Sequence, residues 1–412
     1  MVGDSWTMNV LILVFSVGIN AALTTSLYLP PSLWRKTSAP SKFSIFAVNV
    51  ISKSVDFQTL DSEKSVNTHD NTNGKPSIEI PGKNKWLGGA VDQEGRIYGV
   101  PSNAQEVICL APNPDDKKGG YEMHTIPLPP SISQGQFKWL RGIIWDRYLI
   151  GIPAWSQDGV LWVDIASYWE EKEKQKNNDS ADENREEDIF ENEYKIPSQQ
   201  KMFASVLPLP EGSLESLEEG TDAPERWLWH GAAMNKNQTA IYAIPSNAQQ
   251  VLKIDLLTKR TSLLPIPVTV TPLSQTNKWY GGILGDDNAI YGVPYAASGI
   301  LRIDADTDTV ELIGEEIFGV REYNWHGGIK NPKNGKIYCF PAHNSHVLTI
   351  DTAFSKNNPE SLEKQWSLLD IQRASYDKDQ VTRYKWLGGS LGADGNIYGM
   401  PSDASSILRY VQ

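Results

Sequence analysis

Six times the chain places a tryptophan just ahead of small residues: KWLGG from Lys85, KWLRG from Lys138, LWHGA from Leu228, KWYGG from Lys278, NWHGG from Asn324 and KWLGG from Lys385. Each tryptophan is followed 14 to 16 residues later by a proline, pairing Trp86 with Pro101, Trp139 with Pro153, Trp229 with Pro245, Trp279 with Pro294, Trp325 with Pro341 and Trp386 with Pro401. Shortly before each proline stands an apolar pair, Ile-Tyr in five copies and Leu149-Ile150 in the second. Beyond it comes a second apolar run: VICL, VLWVD, VLKID, ILRID, VLTID or ILRY. Three linked features in six copies mean one supersecondary unit stacked on copies of itself, and this overrules chain length as a guide to domain count.

The unit reads as β structure. Its segments are short, rich in Val, Ile, Tyr and Leu, and broken by turns such as DQEG, NPKNG and GADG, and none sustains a helical period. Four strands can be placed in each copy. The first carries the tryptophan and the small residues, the second runs from Ile-Tyr to the proline, and the third is the Val-Leu-x-Ile-Asp run. The fourth precedes the next tryptophan, as in YEMHTIPLP, SLLPIPV, VELIG and WSLLDI. This predicts an all-β fold, a six-bladed β-propeller of four-stranded antiparallel blades. Blades covered on both faces lose a clean apolar–polar alternation, and the glycine pair lets the innermost strands crowd the axis. The sixth copy reaches Gln412 after its third strand, while PSIEI (76–80) precedes Trp86 where a fourth strand belongs. The N-terminal strand is therefore expected to complete the last blade, so that the two free edges of the ring pair with each other.

Outside the repeats, residues 1–42 carry an apolar segment and its flank, 43–75 read as a linker, and 76–412 form the propeller, with an acidic insertion at 166–200 in blade two. Asn9 to Leu29 is apolar enough to enter a membrane, and Asp4 is the only charged side chain before Arg35. It serves either as a signal peptide, with a cleavage site after Ala21 but no leading Lys or Arg, or as a spanning anchor of just sufficient length. Entry into the secretory pathway is the expectation, secreted or anchored, with membrane contact through this segment alone. Asn178 and Asn237 stand in glycosylation sequons. The net charge of -12 argues against a nucleic-acid partner. That charge is localised: Glu170 to Lys195 holds eleven acids and five bases, and Glu211 to Glu225 six acids and no base. These segments are expected to be solvated excursions. Cys109 and Cys339 lie in apolar runs and are expected to be buried thiols.

The pattern G…dG-x-IY-x-x-P…VL-x-ID resembles the repeat grammar of the NHL, YVTN and SMP-30-like propellers. It is most similar to the W-x-G-G/I-Y-x-x-P propeller repeats of eukaryotic microbes. The resemblance covers roughly 76–412 and implies a fold rather than an activity, because propellers host binding proteins and hydrolases alike.

In such a blade the first strand begins, and the second ends, on one face of the disc, so the tryptophan and post-proline residues gather at one mouth of the channel. Two readings attach to that ring. In one, the tryptophans wedge between blades as a building rule. In the other, Lys85, Trp86, Lys278, Trp279, Lys385 and Trp386 form a basic aromatic ring for a sugar or anion. Departures from the repeat are further candidates: Arg141 in place of a glycine, and His230 and His326 directly after a tryptophan. Asn103, Asn247, His343 and Asp403 occupy equivalent places past the proline. They either cap turns or hold a divalent cation such as Ca, as the SMP-30-like resemblance implies. The expected function is a monomeric, non-catalytic binding or scaffold propeller for a protein or carbohydrate ligand, without a cofactor. The alternative is a metal-dependent lactonase or esterase.

Overall fold

The computed structural model describes residues 82–411, apart from 114–119, 156–158, 183–200, 214–226, 268–274, 316–317, 319–321, 354–364, 372–382 and 405. Gly82–Cys109 and Thr125–Gln412 belong to one compact unit, which carries the candidate residues. The described residues of a second unit are 110–113 and 120–124, where the Asn113 amide donates to the Gly120 carbonyl.

The chain forms a six-bladed β-propeller. Five sheets have four strands in sequence order and the sixth has three. Blade one comprises Trp86–Val91, Ile97–Pro101, Glu106–Pro112 and Tyr121–Pro127, and blade four comprises Trp279–Leu284, Ala289–Pro294, Ile300–Asp304 and Thr309–Ile313. Blade six comprises Trp386–Leu391, Ile397–Pro401 and Leu408–Tyr410. Every tryptophan lies opposite its proline, Trp86 to Pro101 through Trp386 to Pro401, with a bulge just after it. The first strands are the ones that meet across blades, from blade one through blade six, so they line the axis.

Local chemistry explains each recurring letter. The tryptophan indole enters the wall of its blade: Trp139, Trp229, Trp279 and Trp325 are fully buried, and each Nε1 donates to a carbonyl 20 or 21 residues on. Burying an indole removes about 200 Å² from water, roughly 5 kcal/mol per blade. The tyrosine of the Ile-Tyr pair pins its own hairpin turn: Tyr98, Tyr291 and Tyr398 donate to Asp92, Asp287 and Asp394 at 2.9, 2.9 and 2.6 Å.

A relay of backbone hydrogen bonds circles one end of the sheets. In each blade the residue after the proline donates its amide to the residue before the tryptophan, as Ser246 to Leu228 and Tyr295 to Lys278. The carbonyl of that same post-proline residue then accepts the amide before the next blade's tryptophan: Lys138 to Ser102, Leu228 to Ala154, Lys278 to Ser246, Asn324 to Tyr295 and Lys385 to Ala342. Five seams are joined this way; between blade six and blade one no such bond forms among the described residues. In blade six, Leu391, Met400 and Ile407 are 37%, 47% and 38% exposed. The expected closing strand, 76–80, lies outside the described residues, as do the apolar segment at 9–29 and the linker at 43–75. No helix among the described residues is long and apolar enough to cross a membrane.

The acidic insertion corrects the expectation of a loose excursion over its first half. Ile165–Asp182 is an 18-residue helix. Its run of Glu, Lys and Gln favours a helix without any apolar period, and its start is fixed at both levels. The Asp164 carboxylate caps it by accepting the Ser167 amide at 2.9 Å. Burial works against that charge, but the Ser167 and Arg147 donors outweigh it and hold the carboxyl below its usual range. Trp169 then ties the first turn to blade one, donating to the Tyr98 hydroxyl at 2.8 Å under the Arg96 guanidinium. Residues 183–200 lie outside the described residues.

Candidate functional site

The mouth of the propeller is built by one tight reversal repeated six times. Two residues before each tryptophan the backbone is left-handed: Asn84, Phe137, Trp227, Asn277, Tyr323 and Tyr384 have φ between 49° and 59°. This turns each of their carbonyls toward the second amide past the proline, as Asn103 to Asn84, Asn247 to Trp227 and Asp403 to Tyr384. Asparagine tolerates this conformation cheaply, whereas other side chains crowd the following carbonyl at a cost of about 1–2 kcal/mol. Two copies use Asn. Four use an aromatic residue, which the fold does not require.

Those four rings join others to make an arc across blades two to six. Phe137 packs on Trp155 and Trp227, with ring centroids at 4.4 and 5.3 Å. Trp227 approaches His230 at 6.2 Å. From His230 a column of parallel rings continues through Tyr280, Tyr295 and Tyr323, spaced at 3.9, 4.2 and 4.7 Å. His326 meets His230, Tyr280 and Tyr295 edge-on. His343 stands between Tyr323 and Tyr384, edge-on to both at 5.4 and 4.6 Å. Tyr295 is nearly buried at 5% exposure, while Tyr384 presents 39% of its surface.

The axial side of this arc is divided. The residue after each tryptophan is leucine in blades one, two and six (Leu87, Leu140, Leu387) but His230, Tyr280 and His326 in blades three to five. At the next position five copies have a left-handed glycine, Gly88, Gly231, Gly281, Gly327 and Gly388, and blade two has Arg141 in ordinary backbone conformation. A Cβ at Gly231 would meet the Gly281 Cα at 2.7 Å, so blades three and four leave no room for a side chain there. A Cβ at Gly388 would meet nothing within 4 Å.

Electrostatics at the axis follow from crowding. His230 and His326 are half-buried residues whose imidazoles are ringed by protein. Desolvation pushes the pKa of His230 down to about 3, helped by the His326 and Arg141 charges, and that of His326 down to about 4. Both imidazoles are therefore neutral at physiological pH. His326 Nδ1 and His343 Nε2 are buried without a hydrogen-bond partner. Desolvation alone lowers the Arg141 pKa, and no carboxylate among the described residues pairs with it.

The structure therefore sorts the residues singled out from the sequence. His230, His326 and Arg141 come together at the axis, and His343 joins the rim. The lysines and tryptophans sit in the wall between blades. Lys278 is fully buried, and its ammonium donates to the carbonyls of Asn247 and Gln275; Lys385 donates to those of His343 and Asn344. Desolvation pulls Lys278 down to about 7 and Lys385 down to about 8. Trp279 is fully buried and Trp386 nearly so; Trp86 in blade one is half-buried, with Lys85 over its ring at 6.0 Å. The Asn103 and Asn247 carboxamides accept the amides of the next blade's left-handed residues, Phe137 at 2.8 Å and Asn277 at 2.7 Å. Asp403 is exposed and accepts from the Ser402 hydroxyl at 3.3 Å. Among the described residues no three His, Cys, Asp or Glu side chains stand close enough to hold one metal ion. Cys109 and Cys339 are buried thiols in separate blades. An open groove of about 600 Å³ lies along blade three, lined by Ser213, Gln250 and Leu263 and reaching Trp229 and the post-proline residue Ala248.

Sequence reasoning missed the left-handed rings Phe137, Trp227, Tyr323 and Tyr384; Trp155 and Tyr295 it placed at the mouth among the post-proline residues without singling them out. The signal was present two places before each tryptophan, where Asn, Phe, Trp, Asn, Tyr and Tyr break an otherwise regular repeat.

No protein-family model matches the chain, and no curated protein matches it. Among solved structures, virginiamycin B lyase from Staphylococcus aureus aligns at 11% identity over 80% of this chain and 81% of that one, with a TM-score of 0.49. A structure assigned as a 6-phosphogluconolactonase from Bacteroides uniformis aligns at 11% identity over 78% and 80%, with a TM-score of 0.45. The extracellular domain of a one component system from B. thetaiotaomicron aligns at 11% identity over 79% of this chain and 34% of that one, with a TM-score of 0.46. Likenesses this distant carry no functional argument, and the architecture rests on the chain's own six sheets.

Proposed function

We infer that the chain is a non-catalytic binding propeller whose mouth recognises a glycan. One observation carries this reading: Phe137, Trp227, Tyr323 and Tyr384 occupy left-handed positions where asparagine satisfies the fold at lower cost. Strained conformations held at a mouth and filled with large rings point to recognition rather than to folding. Rigid aromatic faces offer contact area to sugar rings at little entropic cost. The apolar segment at 9–29 supports a secreted or membrane-anchored setting for such a domain, as does the exposed sequon residue Asn237.

The test is a glycan array probed with the full chain and with the Tyr323→Asn/Tyr384→Asn double variant. Hits that the double variant loses support the reading. Hits that persist, or an array without hits, contradict it, and the latter would favour a protein ligand. Purified protein carrying a stoichiometric divalent ion would favour the lactonase-like alternative built on Asn103, Asn247, His343 and Asp403.

A further inference from the structure

Arg141 is anomalous in three independent respects. It is the one side chain at a position that the other five blades leave to glycine, and its backbone is not left-handed where theirs is. A side chain there was therefore accommodated by changing the local backbone. Its guanidinium forms no ion pair or hydrogen bond among the described residues, although it is crowded by protein. A guanidinium carries five donors in a rigid fork and cannot shed its charge, so leaving it unpaired in a confined space is costly unless an anion completes it.

Its neighbours sharpen the chemistry. Arg141 lies close enough to His230 to bear on its charge, and His230 stacks on Tyr280 while meeting His326 edge-on. Because both imidazoles are neutral, Arg141 is the one fixed charge in this group, and no carboxylate among the described residues pairs with it. The group thus combines flat aromatic faces with a single cation.

We propose that Arg141 anchors an oxyanion carried by the glycan, so that the mouth selects acidic saccharides, uronates or sulfated sugars, over neutral ones. This deepens the function stated above and rests on it. Guanidinium pairs carboxylates and sulfates through two parallel N–H···O bonds. Arg141 is half-buried, and losing that pair there is expected to weaken binding by about tenfold or more.

The experiment is calorimetric titration of the full chain with three hexasaccharides of matched length: a neutral glucan, a uronate and an O-sulfated glucan. Wild type, Arg141→Gln and Arg141→Gly are compared; the last restores the residue that the other blades use, and thermal melting checks that each variant folds. The expected result is that at least one acidic hexamer binds wild type tenfold or more tightly than the neutral one. Both variants should then lose that selectivity, the acidic affinity falling by more than the neutral one. Whether the uronate or the sulfated hexamer shows the gain identifies the anion. Equal affinity for neutral and acidic hexamers, or a loss on Arg141→Gln shared by both, would overturn the proposal while leaving glycan recognition standing. If no hexamer binds wild type, glycan recognition itself fails.

Discussion

Replacing Tyr384 with Asn separates display from construction. Tyr384 sits at φ 49°, is 39% exposed, and meets His343 edge-on at 4.6 Å. Relief of the left-handed backbone returns about 1 kcal/mol. Against that stands one edge contact of about 0.5–1.5 kcal/mol and partial burial of the ring, about 1 kcal/mol. The net change is thus expected to stay within about 1.5 kcal/mol of zero. Trp279→Ala is the control. Its indole is fully buried and its Nε1 donates to the Gly299 carbonyl at 2.7 Å, so truncation leaves a cavity and an orphaned acceptor. That substitution is expected to cost about 3–5 kcal/mol. Urea denaturation followed by circular dichroism reads both, with slopes compared so that a change in denatured-state compactness is not mistaken for stability. A Tyr384→Asn cost as large as that of Trp279→Ala would refute the reasoning, because the mouth rings would then be packing residues.

Three further outcomes follow. Lys278 titrates at about 7 in the folded chain against 10.5 free, so between these values the unfolded chain binds more protons and stability rises with pH; Lys278→Met should flatten that rise on denaturation midpoints from pH 7 to 10. The two axial imidazoles, at about 3 and 4 in the fold against 6.5 free, contribute stability above pH 6.5 that is lost as pH falls toward 4; the His230→Phe/His326→Phe double variant should lose less stability than wild type over that interval. If residues 76–80 supply the fourth strand of blade six, deleting them should lower the melting temperature and promote association through the face of Met400 and Ile407. An unchanged melt would show that the ring closes by other means.

The repeat made the fold legible because a propeller blade writes its geometry in residues that cannot easily be exchanged. The tryptophan fills the wall, the tyrosine holds its turn through Asp92, Asp287 or Asp394, and the proline ends the second strand opposite the tryptophan. Arg141, His230 and His326 were legible as breaks in that pattern. The role of the lysines was not, because spacing places Lys278 near the mouth but cannot tell an ammonium facing the channel from one turned onto carbonyls of the wall. The aromatic arc was missed for a related reason. Tyr323 and Tyr384 look ordinary in a sequence, and only their backbone conformation shows that they stand where asparagine would cost less. The helix at 165–182 was hidden because it has no apolar period; capping by Asp164 and the Trp169 anchor set its start.

The most direct test of glycan recognition at the mouth is a crystal structure of the chain with a bound acidic hexasaccharide. The account predicts sugar density against Tyr323 and Tyr384 with an oxyanion within hydrogen-bond distance of Arg141. Density confined to the groove lined by Ser213, Gln250 and Leu263, with none against Tyr323, Tyr384 or Arg141, would contradict it.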